Sequence, residues 1–257
     1  MALQFCLLGS GSSGNAVLVT TEKSKILIDS GLSFRQMQLR ASLVGETLDG
    51  VDAVFVTHEH GDHVQGLGTL CRKLGVMVYM TPGTRDSLPK TVGELPRVEL
   101  AEAGSHIGVG DMAVTSFSVS HDASDPVSYV IEHAGLKLGF ASDLGHPTLL
   151  VRNRLAGSHA LVLESNYCPD RLRRGKYPPM LQQRIRGRQG HLSNGDMGGL
   201  LSELLHERLR LVVLVHVSEE NNDHQLAYQT AGRVLQGRNV ELHVAMQDKP
   251  TPLFTVA

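Results

Sequence analysis

The order of apolar and polar residues predicts several short strands in the first quarter of the chain. Apolar runs alternate with breaks rich in Gly, Ser and Asp, a pattern typical of hairpins and tight turns. Apolar positions then recur at helical spacing over residues 33–44, and a continuous apolar run at 51–56 predicts a strand with two buried faces. The first strands predicted are 3–8, 16–19 and 25–28.

Strands and helices follow one another in the rest of the chain. Ser193 with Asp196 resembles a helix capping box, and apolar residues after it lie on one helical face. Predicted strands come first and alternate with helices later in the chain, which favours an α/β fold. We expect residues 1–257 to form one layered domain. Further strands are predicted at 76–80, 114–118, 127–132, 137–141, 160–163, 211–215 and, as the last strand, 240–244, with a helix at 223–235.

Composition and charge narrow the class of protein. Among 257 residues, 24 basic and 26 acidic side chains leave a net charge of −2. This excludes a uniformly basic coat for nucleic acid, although not a local basic patch. No apolar run approaches the roughly 18–20 residues of a membrane span, so no membrane partner is expected. Three cysteines without a Cys-x-x-Cys pair, and an N-terminus unlike a signal peptide, predict a cytoplasmic protein.

Four residues able to bind a metal ion stand together just after the predicted strand 51–56. These residues are His58, His60, Asp62 and His63. Residues two apart in an extended chain point the same way, so His58 and His60 can converge on one ion. Imidazole nitrogen and carboxylate oxygen suit zinc, manganese or iron. A polar surface loop without function is the alternative, but function is commonly placed on loops of this kind.

One segment cannot close two metal sites, so further ligands are expected elsewhere, again just after strands. Three residues have that placement: His121, Asp143 and His216.

The segment Thr57-His58-Glu59-His60-Gly61-Asp62-His63 resembles the signature of the metallo-β-lactamase superfamily. Asp29, His121, Asp143 and His216 match its other motifs in order and context. The resemblance covers nearly the whole chain. It implies a four-layer αββα sandwich in which two mixed β-sheets are flanked by helices.

Five further segments resemble the narrower YycJ/WalJ family, bacterial metallo-hydrolases described as 5′-to-3′ DNA exonucleases. This resemblance implies a DNA partner, held through its phosphate backbone, and a role in DNA repair. The segments are 9–15 (GSGSSGN), 163–167 (LESNY), 175–178 (GKYP), 190–194 (GHLSN) and 216–222 (HVSEENN).

The superfamily resemblance implies a role for each ligand. His58, His60 and His121 would hold one divalent ion, Asp62, His63 and His216 a second, and Asp143 would bridge them. Two ions of this kind activate a shared water and clamp a phosphate. The hypothesis is that a bridging hydroxide, oriented by Asp62, attacks the phosphorus of a phosphodiester.

Other roles follow from the same resemblance. Asp29 would support a ligand through hydrogen bonds. His191 would contact the scissile phosphate or protonate the leaving oxygen, the alternative being a structural residue at a helix start. The turn at 9–14 either presents N–H groups to a phosphate or is simply a tight hairpin loop. Candidate substrate contacts are Ser10, Ser12, Asn166, Asn194 and Asn221. Glu164, Asn166 and Asn221 are expected to brace the active-site loops.

Between residues 171 and 188 the chain carries seven basic residues and no acidic one. The stretch is either a contact for phosphate backbones or a solvated face. Aromatic residues nearby are few, Tyr167 and Tyr177, so sequence-specific reading of bases is not indicated. The main alternative function is a small-molecule phosphodiesterase acting on cyclic nucleotide-like esters. A thioester hydrolase and a non-catalytic regulatory member of the superfamily also stay open.

Overall fold

Two seven-stranded sheets make up the centre of the computed structural model, which describes residues 2–257. Their spatial orders are β14-β1-β2-β3-β4-β5-β6 and β13-β12-β11-β10-β9-β8-β7, with the bounds that follow. The strands are β1 (Leu3–Gly9), β2 (Ala16–Thr20), β3 (Lys25–Ile28), β4 (Ala53–Phe55), β5 (Met77–Met80), β6 (Val98–Leu100), β7 (His106–Val109), β8 (Met112–Ser118), β9 (Val127–His133), β10 (Leu136–Ala141), β11 (Ala160–Glu164), β12 (Leu211–Val215), β13 (Glu241–Val244) and β14 (Phe254–Val256).

Nine α-helices and one 3₁₀ helix complete the described chain. Helix α1 begins after Ser33, whose hydroxyl accepts a hydrogen bond from Gln36 N–H, and α8 begins after Ser193, which accepts from Asp196 N–H as the capping pattern predicted. The helices are α1 (Phe34–Leu43), α2 (Gly61–Val64), α3 (Leu67–Leu74), α4 (Pro82–Asp86), the 3₁₀ helix Lys90–Val92, α5 (Leu149–Leu155), α6 (Pro169–Arg174), α7 (Pro179–Ile185), α8 (Asn194–Leu204) and α9 (His224–Val234).

The alternation of side chains along each strand separates three apolar layers. In β1, Leu3, Phe5 and Leu7 face the second sheet, whereas Cys6 and Leu8 face the helices outside the first sheet. Strand β12 divides in the same way between the sheet interface and a layer shared with α5, α8 and α9. The result is the four-layer αββα sandwich expected from the resemblance.

Strand direction decides where the site lies. In the first sheet β3 to β6 run parallel, and in the second β10 to β13 run parallel. Strand β8 has the same direction as β10, because both pair antiparallel with β9. The carboxyl ends of β8, β10, β11 and β12 therefore reach one edge of their sheet.

One expectation about the strands was wrong. The chain does not finish its sheets at β13, because β14 returns to the first sheet and pairs antiparallel with β1. The strand β14 has only three residues and follows two prolines, so its sequence is too short to show a strand pattern. Only the pairing with β1 identifies it as a strand. Within residues 2–257, no helix is both long and apolar enough to cross a membrane.

Candidate metal centre

The predicted ligands lie beyond strand ends, with Asp62 and His63 on the short helix α2 that follows β4. Two of these ligands and the supporting residue Asp29 have unusual backbone. Asp29 follows β3, Asp143 follows β10 and His216 follows β12, with positive φ angles of 62°, 52° and 53°. Non-glycine residues in this conformation are uncommon and persist where the surroundings hold them. The chain turns sharply at these residues, which keeps each side chain at the shared edge of the sandwich.

Three histidines form one set of converging nitrogens, which we term the three-histidine group. His58 Nε2 lies 3.0 Å from His60 Nδ1, and His60 Nδ1 lies 3.3 Å from His121 Nε2. His58 and His121 are buried, whereas His60 is half-buried at the cavity. The structure thus brings together residues that are 61 positions apart in sequence.

A second set, the aspartate-containing group, consists of Asp62, His63 and His216. Asp62 Oδ2 lies 3.5 Å from His63 Nε2 and 3.4 Å from His216 Nε2. Asp143 stands between the two groups. One of its oxygens is 3.2 Å from His63 Nε2, and the other is 3.8 Å from His121 Nε2.

These distances fit divalent ions. Two ligand atoms about 2.1 Å from a tetrahedral zinc ion lie roughly 3.4 Å apart, and the distances in both groups range around that separation. Each group also supplies three ligand atoms within 4.8 Å of one another. The donor set of imidazoles and carboxylates is suited to zinc, manganese or iron.

The ring nitrogens that face away from the ligand groups are held by protein atoms. His63 Nδ1 lies 2.7 Å from Asp29 Oδ2, and His121 Nδ1 donates to the Gly190 carbonyl at 3.0 Å. Asp29 also accepts from Thr57 N–H at 2.8 Å, and the Thr57 hydroxyl lies 2.9 Å from His58 Nδ1. Contacts of this kind fix the ring orientation and the tautomer of metal-binding histidines.

Glu164, the last residue of β11, is a site residue that the sequence had suggested only as a loop brace. It is fully buried, and Oε1 lies 2.6 Å from His191 Nδ1 and 3.3 Å from His216 Nδ1. Its other oxygen accepts the backbone N–H groups of Leu144 and Leu192. The carboxylate therefore orients His191 and a ligand of the aspartate-containing group together. The sequence signal that could have identified Glu164 as a site residue is its position at the end of a predicted strand.

Asn15 is a second residue that sequence reasoning missed, although it closes the Gly/Ser-rich turn. Its amide nitrogen lies 3.2 Å from Asp62 Oδ2 and 3.1 Å from His63 Nε2. Gly31 lets the segments meet, because a Cβ there would lie 1.7 Å from the Asp62 carbonyl oxygen. The end of this turn, at Asn15, thus packs directly against the segment that carries Asp62 and His63.

The five candidate substrate contacts have different surroundings. Ser12 lines the cavity beside His60 and Asp62. The buried Ser10 hydroxyl accepts from His216 N–H at 2.8 Å, and the Asn166 amide donates to the His216 carbonyl at 2.8 Å. Asn194 bonds to Ser165 and Asn222, and the Asn221 backbone bonds to Ser218. Bracing contacts are therefore in place, and contact with a substrate stays a prediction.

Burial and charge act in opposite directions on the histidines. Burial lowers the pKa of His58, and the neighbouring His63 lowers it further. Burial also disfavours the charged ring of His216, but the charge of Asp143 and the hydrogen bonds that the ring donates to Asp62 and Glu164 outweigh it and raise its pKa to about 10. The pKa of His191 is raised as well, since Glu164 outweighs burial. The carboxylates that favour a proton on these rings in the metal-free protein equally favour a cation.

A cavity of about 260 Å³ opens over both groups. His60, Asp62, Asp143 and His191 line it, together with residues of α7 and the preceding Tyr177. From the basic stretch, Arg184 lines the cavity and pairs with Asp122. Arg171 and Arg173 pair with Asp223 and Asp170. The remaining basic side chains are exposed: Arg174, Lys176, Arg186 and Arg188.

Comparison with known proteins agrees with this architecture. Residues 24–217 match the family model described as the beta-lactamase superfamily domain. Zn(2+)-bound PqqB from Methylobacterium extorquens superposes with a TM-score of 0.73 at 19% identity, covering 96% of this chain and 99% of that one. The fold is the metallo-β-lactamase fold, and the protein is a metal-dependent hydrolase of that class.

Two curated bacterial proteins are similar over their full length. Exodeoxyribonuclease YycJ of Bacillus anthracis is 32% identical, covering 98% of this chain and 99% of the relative. Exodeoxyribonuclease WalJ of Streptococcus pneumoniae is 32% identical, covering 100% and 99%. The chain belongs to the metallo-β-lactamase superfamily and, within it, to the YycJ/WalJ family.

Proposed function

We propose that this hydrolase binds two divalent ions and removes nucleotides from the 5′ end of DNA. The observation that carries the proposal is the pair of three-ligand groups with Asp143 between them, at the floor of a cavity open to solvent. When bound, two ions supply a water of lowered pKa and positive charge for a phosphate oxygen. Zinc, manganese and iron all suit the ligands.

DNA is supported as the substrate by the names of the full-length relatives, both exodeoxyribonucleases. The exposed basic side chains beside the cavity, on and around α6 and α7, provide a matching surface for a phosphate backbone. The 5′-to-3′ direction follows from the family resemblance. A reducing compartment such as the cytoplasm suits the three free cysteines.

Two side chains are placed to handle protons. Asp62 is half-buried, lines the cavity and accepts a hydrogen bond from the Asn15 side-chain amide. Its carboxylate is therefore held where it can orient a water molecule. His191 also lines the cavity, with Nδ1 held 2.6 Å from Glu164 Oε1. The Nε2 atom is then free for a leaving oxygen, and the raised pKa keeps a proton available there near neutral pH.

We further infer that residues 1–257 act as one domain. Pairing of β1 with β14 joins the two ends of the described chain in one sheet, and the ligands come from both sheets. These contacts support a site that needs the whole chain.

The test uses metal-stripped protein reloaded with manganese or zinc, given 5′- and 3′-labelled duplex DNA beside bis(p-nitrophenyl) phosphate. We expect stepwise release of 5′ nucleotides. His191→Ala should lower turnover by about 10²–10⁴-fold without loss of metal, the range for a general acid. His106→Ala, at an exposed histidine of β7, is the matched control.

Two results would contradict the proposal. Cleavage of the small ester with intact DNA would indicate a small-molecule phosphodiesterase. Full activity of His191→Ala on DNA would remove the proposed role of that ring.

A further inference from the structure

The cavity has an apolar wall that no part of the proposed chemistry uses. Tyr177, Leu181 and Ile185 line it, four residues apart in sequence, and His60, Asp62 and His191 line the same cavity. Residues at this spacing lie on one face where the chain is helical. A phosphate bound at the candidate ligands therefore shares one cavity with an apolar surface.

This wall is fixed relative to the catalytic histidine. His191 N–H donates to the Ile185 carbonyl at 2.8 Å. The intervening Gly190 admits no side chain, because a Cβ there would lie 2.1 Å from the Ile185 carbonyl oxygen. Behind the wall, Tyr177 and Leu181 pack on a small apolar cluster of Tyr167, Leu172 and Ile185. Tyr177 therefore both packs on this cluster and lines the cavity.

We propose that Tyr177 stacks on the base of the terminal nucleotide and positions its phosphate over the metal centre. The inference rests on the proposed function and names its immediate substrate, an unpaired nucleotide at a DNA end. A cavity of about 260 Å³ lies just below the roughly 300–1,000 Å³ of small-ligand sites, a size that suits a single nucleotide.

The same wall predicts that any base is accepted. Leu181 and Ile185 carry no hydrogen-bonding group in their side chains, and Arg184 is paired with Asp122. Stacking is tolerant of sequence, because every base has a π-face. The site therefore recognises that a base is present without reading which base it is.

The experiment is a double-mutant cycle in which one change removes the Tyr177 side chain and the other removes the terminal base. Single-stranded oligonucleotides carry at the 5′ end either thymidine or an abasic tetrahydrofuran residue, and kcat/KM is measured for both. For Tyr177→Ala we expect an approximately 5- to 150-fold loss on the thymidine end, which corresponds to ~1–3 kcal/mol of stacking. On the abasic end the loss should stay within about two-fold.

Two further variants separate stacking from folding. Tyr177→Phe keeps the ring and should retain activity on both ends. Tyr228→Ala, at an exposed tyrosine of α9, is the matched control and should change neither rate. Equal losses on the two ends, or no loss on the thymidine end, would overturn the proposal. Inactivity of the unsubstituted chain on DNA would instead reject the proposed function.

Discussion

The two ligand groups sit side by side but are built on different electrostatics. In the three-histidine group, burial is the main cause that lowers the pKa of His58 and His121. In the aspartate-containing group, the pKa of His63 and His216 is raised, because carboxylates led by Asp143 outweigh burial. His58 and His121 therefore offer neutral rings, whereas the rings of His63 and His216 attract a proton when no metal is bound.

The difference has a consequence for metal binding. Imidazole must lose its proton before it binds a metal, so proton and cation compete for the same nitrogen. The proton competes weakly with a metal ion at His58 and His121, and strongly at His63 and His216. The carboxylates compensate, since Asp62, Asp143 and Glu164 favour the cation as they favour the proton. Asp143 is the residue that both groups share.

Substituting the shared residue should have the largest effect. Asp143→Asn keeps the shape but removes a charged oxygen from both groups, so we expect loss of both ions and at least about a 10³-fold fall in activity. Metal content by elemental analysis and kcat/KM on DNA measure this. His60→Ala, which touches only the three-histidine group, should lose one ion. Equal metal content in the two variants would contradict the bridging position.

Asp29 provides a sharper comparison, because it contacts the two groups unequally. It bonds directly to His63 but reaches His58 only through Thr57. Asp29→Asn should weaken metal affinity by about 10–100-fold at the aspartate-containing group, with a smaller change at the three-histidine group. Titration with a chelator, followed by the release of each ion in turn, measures the two affinities. If metal affinity fell equally at both groups, the contact through Thr57 would affect metal binding as much as the direct bond to His63, and the comparison would fail.

The smallest effect concerns the metal-free protein and its pH dependence. The folded pKa of His216, about 10, lies above its ordinary value of 6.5. The charged ring thus stabilises the fold fully below about pH 6.5, and this stability is lost as the pH rises toward 10. The Tm of the stripped protein should fall over that window, by about 2–4 °C for each kcal/mol lost.

His216→Gln supplies the control for this pH effect, because it removes the titrating ring and should flatten the dependence. Zinc-loaded protein should show little change between pH 6.5 and 10, since the ion replaces the proton. A Tm of the stripped protein that rises across the window would contradict the assignment.

Most elements of the fold were predictable because their patterns are local. The helix at 33–44 has a hydroxyl cap and apolar spacing, and the strand predicted at 25–28 has the bounds of β3. β14 was missed because its three residues become a strand only by pairing with β1, more than 240 residues earlier. Local pattern carries no information about such a partner.

The sequence by itself determined which candidate ligands this protein carries: their chemical types, and the cluster from His58 to His63 that follows a strand. Only the tertiary structure decided which ligands meet. Parallel strand order brings the ends of β10, β11 and β12 together, so Asp143 falls between two groups and Glu164 joins His191 to His216. It also placed Ser10 against His216, 206 residues away. Such contacts depend on sheet order and close packing, which act between residues that the chain pattern cannot relate.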